Sequence, residues 1–577
     1  MNNDVSVNFL GKIRDRLRFL YNDEADQCIT RLQMLIGRYR VIPEENQQAP
    51  EWTEKDSILI TYGDTILNGQ EYPLKTLRKF VKTRIGSTMS GVHILPFFPY
   101  SSDDGFSIID YREVREDLGG WWHVKDISKD YRLMADLVIN HVSQKSAWFS
   151  DFKKGVAPAS KYFIEEDPNT DLSLVTRPRK SPLLTEIQTE NALKYVWCTF
   201  SADQVDVDFS NPDVLFEFLD IIFFYISNGV TVIRLDAIAY LWKQVGTNCI
   251  HLPETHEAVK LLRDVLDVVA PHVTIITETN VPHKENVEYF GVGDEAHMIY
   301  QFSLPPLLLH ALMFGSAEYL TYWAKNLESP QSNCYYFNFL ASHDGIGVRP
   351  LEGLVPDKEF KTLVDSISNL GGFVSKKKNS DGSESPYELN ITYFSALADK
   401  KDSEHNFQTQ RFICAHSIMF SLQGVPGVYL HSLTATPNDL NGVEKKGHNR
   451  AINRKQWNLK ELNRLLDDES SDTCKVFNEL NSRLEIRSEQ SAFHPEALQK
   501  IFSVDPAFFV VLRSSGDKTQ DILSISNVTG IEQQLYKEAY SLPISKKKKY
   551  KNLIGEDVAK GDKPIDLAPY ETIWLVL

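Results

Sequence analysis

The chain has 577 residues and a formal net charge of −16, and 42% of its residues are hydrophobic. Its length exceeds the roughly 100–200 residues of a typical domain, so we expect a large core and more than one structural unit. The acidic balance argues against an extended nucleic-acid-binding surface and against adhesion to anionic membranes. The sequence contains no run of 18 apolar residues, so it predicts no membrane span.

The six cysteines are scattered and lack CxxC pairing, which argues against a zinc site and against a disulfide framework. We therefore expect most of the thiols to be reduced and buried. The N-terminus has no basic segment followed by an unbroken apolar one, so the sequence predicts no signal peptide and a cytoplasmic location.

Residues 1–50 have a helical pattern. Leu10, Ile13, Leu17 and Leu20 recur at spacings of three or four residues, which places them on one helix face. We interpret this segment as a small helical cap that packs on the main domain, in preference to a partner-binding element.

Strand-like and helix-like stretches alternate through residues 51–496, which predicts parallel strands joined by right-handed crossovers. The strand candidates are short runs rich in β-branched residues, as expected for buried parallel strands. The fold class predicted is α/β, a (β/α)8 TIM barrel. Its eight strands are expected within 57–64, 90–97, 132–140, 229–236, 273–279, 297–302, 336–344 and 424–432.

Two long insertions interrupt the alternation, residues 145–210 after the third strand and residues 345–395 after the seventh. Both should emerge on the catalytic face, where long loops usually shape substrate access. Residues 497–577 contain alternating runs separated by turn residues, which predicts a small antiparallel C-terminal β-domain.

Three carboxylates follow apolar strand-like runs: Asp236 in GVTVIRLDAIAY, Glu278 in VTIITETN and Asp344 in FNFLASHDGIGV. In a (β/α)8 barrel, side chains at the C-terminal strand ends point into one pocket. Converging acids suit a reaction that forms and discharges a cationic, sugar-like transition state. A lone Asp after a strand is more often a helix cap, but three such acids are hard to explain as caps.

The surroundings of these acids predict different protonation states. Arg234 and Asp236 share one strand face, and a guanidinium beside Asp236 should keep it ionised, as a nucleophile requires. Glu278 follows a fully apolar run, so desolvation should raise its pKa and suit it to acid catalysis. A purely structural salt bridge is the alternative for Arg234 and Asp236.

Other side chains near these positions could contact a sugar. His141 follows the third strand, and His343 lies at the end of the seventh. Asp104 and Phe106 lie in the loop after the second strand, where an Asp can bind hydroxyls while a ring faces the apolar side of a pyranose. The alternative for Asp104 is an Asx-turn.

The segments DLVINHVS, VIRLDAIAY, IITETNV and FLASHDGIG, in this order, resemble the sucrose phosphorylase subfamily of the α-amylase-superfamily glycoside hydrolases. SSDDGFSIIDY, TRPR and NRAINR match as well, and the resemblance covers the chain beyond residue 50. It implies a catalytic barrel with Asp236 as nucleophile, Glu278 as general acid/base and Asp344 as transition-state stabiliser. The glucose-binding residues that it implies are Asp104, Phe106, His141, Arg234, His343 and Arg450.

The same resemblance bears on metals and cofactors. Asn140 resembles a calcium ligand of amylases, but this subfamily lacks the bound calcium. We therefore expect neither a metal nor a cofactor.

Phosphorolysis requires an anion site beside the sugar, and the planar fork of arginine matches phosphate oxygens. Arg177 and Arg179 lie in the first insertion, in TRPRKSP. The second arginine of this motif resembles the phosphate-contacting residue of sucrose phosphorylases. Thr176 departs from the aromatic residue that tends to precede the motif there. A surface basic cluster is the alternative.

The stretch SPYELNITYF resembles a segment that carries Gln at the acceptor site of sucrose phosphorylases, and here that position is Glu388. A carboxylate only accepts hydrogen bonds, so it favours an acceptor with vicinal hydroxyls, such as a glyceryl unit. The segments WKQVGTNCIHLPETH and GVEKKGHNRAINR resemble glucosylglycerate phosphorylases of this subfamily. A glycerate carboxylate would need a cation from the phosphate arginines, from Arg349 or from KKKNSDG.

The resemblance thus implies retaining, phosphate-dependent cleavage of 2-O-α-D-glucosylglycerate to α-D-glucose 1-phosphate and D-glycerate through a β-glucosyl-enzyme. The expected partners are an α-glucoside and inorganic phosphate. The alternatives are phosphorolysis of glucosylglycerol, sucrose or sucrose 6′-phosphate, hydrolysis or transglucosylation on the same scaffold, and a non-catalytic binding subunit. The sequence leaves the oligomeric state open.

Overall fold

The computed structural model describes residues 3–39, 51–378, 383–399, 407–545, 549–555, 558–560 and 563–577. All six cysteines are buried and free, as expected. Among the described residues, no helix combines the length and the apolar character needed to cross a bilayer.

Two helices, Asn3–Tyr21 and Ala25–Tyr39, precede the barrel. Their apolar faces join the main core, where Leu17 and Leu32 are almost completely buried. Ion pairs connect them to barrel helices: Arg16 Nη1 lies 3.0 Å from Glu257 and Arg31 Nη1 lies 2.7 Å from Asp213.

Eight parallel strands form a closed barrel in which each strand pairs with its neighbours in the barrel sequence and the last pairs with the first. The predicted (β/α)8 fold is confirmed. Most strands are shorter than predicted, because the apolar runs continue past the hydrogen-bonded ladder into the loops. In chain order, β1 to β8 are Ile58–Thr61, Gly91–Ile94, Arg132–Val138, Val230–Asp236, Thr274–Thr277, Met298–Tyr300, Tyr335–Phe339 and Val425–Tyr429.

Helices surround the barrel and cover its outer face. The helix Pro212–Ser227 shows how the sequence starts them: Asn211 caps it by accepting from the Asp213 amide, and Pro212 occupies the first turn. The other helices are Pro73–Phe80, Trp121–Ser128, Pro253–Val269, His283–Asn286, Leu304–Phe314, Glu318–Lys325, Tyr393–Ala396, Gln408–Ser421, Leu430–Leu433, Leu440–Lys446, Leu459–Asp467 and Asp472–Ser488.

The two insertions have secondary structure of their own. The first contains the helix Ala147–Lys154 and the hairpin formed by Leu184–Gln188 and Leu193–Trp197, and its strand Gln204–Asp206 pairs with His141–Ser143. The second contains the helix Asp357–Asn369 and a three-stranded antiparallel sheet, Ile346–Gly347, Phe373–Lys378 and Glu384–Asn390.

The C-terminal part forms an antiparallel sheet of four strands, Leu498–Phe502, Phe508–Ser514, Asp521–Asn527 and Thr572–Val576. Two small ribbons extend it, one pairing Gln533–Leu535 with Ile565–Leu567 and the other Lys549–Lys551 with Val558–Lys560. Apolar side chains including Phe508 and Leu523 form a second core between these elements.

Two buried arginines bind backbone carbonyls near this sheet, and Arg513, on the strand Phe508–Ser514, attaches the sheet to residues that precede it. Arg487 donates to the carbonyls of residues 54, 420, 424 and 493, and Arg513 donates to those of residues 421, 494 and 497. Burial lowers the pKa of Arg487 to about 10 and that of Arg513 to about 9. These guanidiniums satisfy carbonyls that water cannot reach.

We predict that Arg487→Met destabilises the protein, because it leaves four carbonyls without their donor. The expected cost is on the order of 3 kcal/mol, seen as a lower midpoint of thermal unfolding. Arg464→Met, the same change on an exposed side chain, is the matched control. Equal midpoints for the two variants would contradict this role of Arg487.

Candidate active site

The three acids converge at the C-terminal mouth of the barrel. Asp236 is the last residue of β4, Glu278 follows β5 directly, and Asp344 lies in the loop after β7. The Glu278 amide donates to Leu235 O at 3.1 Å, and Glu278 Oε2 accepts from the Ala237 amide at 3.0 Å. Strand pairing therefore holds Glu278 beside the end of β4. Glu278 and Asp344 line one pocket, together with Arg234, Asn280, Tyr300, Phe302, Phe339 and His343.

Arg234 links the acids on neighbouring strands. Its Nη1 donates to Asp136 at 2.5 Å and to Asp236 at 2.7 Å, and its Nη2 lies 4.0 Å from Glu278 Oε2. The guanidinium is 3% exposed and Asp236 is 7% exposed, so water screens these contacts little. Burial lowers the pKa of Arg234, but the carboxylates outweigh burial and raise it well above its ordinary value.

The two acids beside Arg234 differ in how they hold a proton. Burial and the nearby Asp236 and Asp344 raise the pKa of Glu278 to about 7, against the opposing charge of Arg234. Burial also raises the pKa of Asp236, which the sequence did not predict, although Arg234 opposes this rise. Because Arg234 bonds Asp236 directly and reaches Glu278 only at 4.0 Å, Glu278 is the acid that keeps the proton.

Asp136 is a site residue that the sequence analysis missed. It is fully buried on β3, where it accepts from Arg234 and lies 2.7 Å from His93 Nε2. Burial raises its pKa, but His93 and Arg234 lower it to about 2. The signal was present in RLMADLV, because a lone carboxylate inside an apolar strand needs a buried cation.

Arg450 connects Asp344 to Glu388. Its Nη1 lies 2.6 Å from Asp344 Oδ1, and its Nε and Nη2 donate to the two oxygens of Glu388 at 3.0 and 2.7 Å. Glu388 also accepts from the Gly345 amide at 3.1 Å. The predicted acceptor-site carboxylate is thus buried in a bidentate ion pair that leaves room for about one further donor.

Asp104 is surrounded by cations. Its Oδ2 lies 2.8 Å from Arg454 Nη1, 3.3 Å from Lys446 Nζ and 3.4 Å from His448 Nε2. Burial raises the pKa of Asp104, but His448 and Arg454 outweigh it and leave the pKa lowered. Arg454 is a second residue that the analysis missed, although it lies in the same NRAINR motif as Arg450.

Phe106, His343 and His141 form one wall of the site. The Phe106 ring stacks on the His343 imidazole with centroids 4.6 Å apart. His141 Nε2 lies 2.9 Å from Phe106 O and 3.1 Å from Gln204 Nε2. Gly105, directly before Phe106, lets this loop lie against Pro96, because its φ is +118° and a Cβ there would lie 2.9 Å from Pro96 O.

The two predicted phosphate arginines differ. Arg177 donates to the carbonyl of Ser181 on its own loop, and burial lowers its pKa. Arg179 lies closer to the acids, since its charge acts on Asp103, Tyr240 and Tyr387. The structure therefore separates Arg179, whose charge acts on residues around the acids, from Arg177, which binds its own loop.

Lys243 occupies a position that the sequence analysis did not single out. Its ammonium is nearly inaccessible and lies 2.6 Å from Asn140 Oδ1 and 2.7 Å from Asp206 Oδ2. Asp206 also accepts from Thr199 Oγ1 at 2.6 Å. The residue that resembles a calcium ligand thus binds an ammonium, which supplies positive charge between the loop after β3 and the first insertion.

The family model for the α-amylase catalytic domain matches residues 84–349. A glucosylglycerate phosphorylase of Spirochaeta thermophila is 45% identical over 529 residues, which cover 91% of this chain and 90% of that protein. One from Allomeiothermus silvanus is 43% identical and covers 98% of both chains. The chain belongs to the glucosylglycerate phosphorylase family.

More distant relatives are also phosphorylases, and they agree with the match to the α-amylase catalytic domain. A sucrose phosphorylase of Bifidobacterium adolescentis is 33% identical over 75% of this chain and 85% of its own. The crystal structure of sucrose 6F-phosphate phosphorylase from Thermoanaerobacter thermosaccharolyticum, 27% identical, superposes with a TM-score of 0.72 over 84% of this chain and 96% of its own. The family resemblance predicted from the strand-end motifs is confirmed.

The pKa of Glu278 predicts how glucoside cleavage depends on pH. A general acid acts only while protonated, so kcat/KM for cleavage should fall as pH rises through about 7. The measurement is an initial-rate profile from pH 5 to 9 at constant ionic strength. A profile that stays flat to pH 9 would exclude Glu278 as the acid.

Thermal unfolding gives an independent control for this assignment. Since the folded pKa lies above the ordinary value of 4.5, protonation of Glu278 stabilises the fold below pH 4.5, and this stability is lost as pH rises through about 7. Glu278→Gln should remove that loss. The melting midpoint of the variant, relative to that of the wild type, should therefore rise between pH 5 and pH 8.

We predict that Lys243→Met lowers the melting midpoint, because it leaves the Asp206 carboxylate buried without its cation, at a cost of about 3–5 kcal/mol. Adding Asp206→Asn to this variant should recover part of the loss, since no buried charge then remains. Lys445→Met, at an exposed lysine, is the control. A double variant less stable than Lys243→Met would contradict the ion pair.

Proposed function

We propose that this protein catalyses the phosphorolysis of 2-O-α-D-glucosylglycerate, giving α-D-glucose 1-phosphate and D-glycerate with retention of configuration. The observation that carries the proposal is the pair formed by Asp236 and Glu278. One carboxylate is bound directly by a guanidinium, and the other has a pKa raised to about 7. Retaining glycosidic bond cleavage needs this division between a nucleophile and an acid.

In the first half of the reaction, Glu278 donates its proton to the glycosidic oxygen while Asp236 Oδ attacks the anomeric carbon. The bond from that carbon to the glycerate oxygen breaks, and its electron pair stays with the protonated leaving oxygen. D-glycerate departs, and a β-glucosyl ester on Asp236 remains. Asp344, beside Arg450, would stabilise the positive charge that develops on the sugar.

In the second half, inorganic phosphate attacks the anomeric carbon of the ester. Glu278, now ionised, accepts a proton from the phosphate, and Asp236 leaves as a carboxylate. Two inversions retain the α configuration. Arg179 is the proposed phosphate residue, because its guanidinium acts on the groups around Glu278, and Arg177 would support the conformation of its loop.

The residues around the acids would bind the glucosyl unit. Asp104 receives all its cations on Oδ2, which leaves Oδ1 for sugar hydroxyls. The stacked rings of Phe106 and His343 offer an apolar face and a polar edge. His141, Arg234 and Arg450 complete the proposed subsite.

Glu388 would define the acceptor side. Its remaining capacity to accept a hydrogen bond suits one hydroxyl of a glyceryl unit, with Arg450 holding the carboxylate in place. Glu388 would then select an acceptor by one oriented hydroxyl, a narrower role than binding a vicinal pair.

We further propose that residues 51–496 are the catalytic domain, with residues 1–50 and 497–577 as supporting units. The ion pairs of Arg16 and the carbonyl bonds of Arg513 support this division, since both attach flanking elements to the barrel domain. Six buried, free thiols support a cytoplasmic location.

The proposed function predicts that phosphate is released from α-D-glucose 1-phosphate when D-glycerate is the acceptor, and much less with glycerol, fructose or fructose 6-phosphate. In the cleavage direction, Arg179→Gln should raise the KM for phosphate about 100-fold, because a charge-assisted contact is lost. Lys180→Gln, the neighbouring exposed cation, is the control.

Two results would overturn this function. If glycerol or fructose were used in preference to D-glycerate, the proposed substrate would be wrong. Release of free glucose at the same rate with and without phosphate would make the protein a hydrolase.

A further inference from the structure

The arginines of the site fall into two groups according to their partners. Arg234, Arg450 and Arg454 each contact carboxylates of the site. Within the described ranges, the side chains of Arg179 and Arg349 have neither a hydrogen-bond acceptor nor an ion-pair partner, and Arg349 Nε is buried. A buried guanidinium nitrogen without an acceptor is costly, so such a group close to a pocket is suited to an anionic ligand, and Gly347, two residues before Arg349, lines the pocket of the acids.

Arg349 lies on the acceptor side of the site. It follows the strand Ile346–Gly347, in which Gly347 pairs with Glu388, and the Val348 amide donates to Tyr387 O at 3.1 Å. Backbone pairing therefore fixes Arg349 close to Glu388, which lies on the same insertion and is the residue proposed to bind the acceptor.

The segment of Arg349 also packs against the loop that carries Glu278. A Cβ at Gly347 would lie 2.7 Å from Asn280 Oδ1, so the absence of a side chain at Gly347 lets Asn280 approach this closely. Asn280 follows Glu278 by two residues, and its Nδ2 lies 3.5 Å from the Tyr387 hydroxyl. Arg349 is thus held near the acid that protonates the leaving oxygen.

Electrostatics around Tyr240 agree with this placement. Burial raises the pKa of this hydroxyl, and the charges of Arg349 and Arg179 both oppose the rise. The two unpaired guanidiniums therefore approach one place from two different insertions.

Two lysines of the KKKNSDG candidate are already paired. Lys377 Nζ lies 3.5 Å from Glu352 and Lys376 Nζ lies 3.9 Å from Glu384, which also contacts Lys180. Residues 379–382 of this candidate lie outside the described residues. Arg349 differs from these two lysines, because its buried Nε has no acceptor among the described residues.

We propose that Arg349 binds the carboxylate of D-glycerate and so selects this acceptor over neutral polyols. This inference rests on the proposed function. In D-glycerate, the carboxylate is attached to the carbon that carries the oxygen protonated by Glu278. This carboxylate must therefore be bound close to Glu278. Arg349 and Glu388 would then bind opposite ends of D-glycerate. The guanidinium of Arg349 would pair with the carboxylate of the ligand, and the carboxylate of Glu388 would accept a hydrogen bond from a hydroxyl.

The test compares D-glycerate with glycerol as acceptors of α-D-glucose 1-phosphate, because the two differ in the carboxylate. Arg349→Gln should raise the KM for D-glycerate about 100-fold, as expected for a lost charge-assisted pair, and change kcat/KM for glycerol less than about threefold. Arg349→Lys should restore part of the preference. Lys377→Gln, a paired cation on the same insertion, should leave it unchanged.

The outcomes separate this inference from the function. If wild-type protein prefers D-glycerate and Arg349→Gln keeps the same ratio of glycerate to glycerol efficiency, the role of Arg349 is wrong and the function stands. If Arg349→Gln lowers kcat/KM for D-glycerate and for glycerol by the same factor, the side chain has a structural role and the inference fails. If the wild type does not prefer D-glycerate, the proposed function itself is wrong.

Discussion

The buried guanidinium of Arg234 is the interaction on which the rest of the site depends. Carboxylates on three adjacent strands, Asp136, Asp236 and Glu278, lie within 4.0 Å of it. Without this cation, several acids with almost no access to water would repel one another and take up protons. The barrel fixes the arrangement, because the ladder of β3 and β4 pairs Asp136 with Arg234 and the ladder of β4 and β5 pairs Leu235 with Thr277.

The position of Arg234 is asymmetric, and this asymmetry gives the two catalytic acids different properties. Asp236 is in direct contact with the charge, whereas Glu278 lies farther away, and there burial outweighs the opposing charge of Arg234 and raises the pKa. Similar side chains in one pocket can thus act as a nucleophile and as an acid. Arg450 and Arg454 form further ion pairs, with Asp344 and Asp104, so these two acids also have a cation beside them.

The fold and the convergence of Asp236, Glu278 and Asp344 could be predicted from the sequence because both depend on local patterns. A short β-branched run predicts a buried strand, and the residue after it faces the pocket. Asp136 could have been found in the same way, as a charge inside such a run. The ion pair of Glu388 with Arg450 could not be predicted, since the residues are 62 positions apart on separate loops. The same holds for Lys243, whose partners Asn140 and Asp206 lie on other segments of the chain.

The carbonyl-bound Arg513 has an evolutionary consequence. It lies on the terminal sheet and donates to the carbonyls of residues 421, 494 and 497, so the sheet is attached through backbone groups that this side chain satisfies. A chimera that exchanges this sheet between homologues would have to combine this guanidinium with loops whose carbonyls follow the matching paths. Recombination should therefore conserve the sheet with its own barrel, and variation should accumulate in the insertions at the other end.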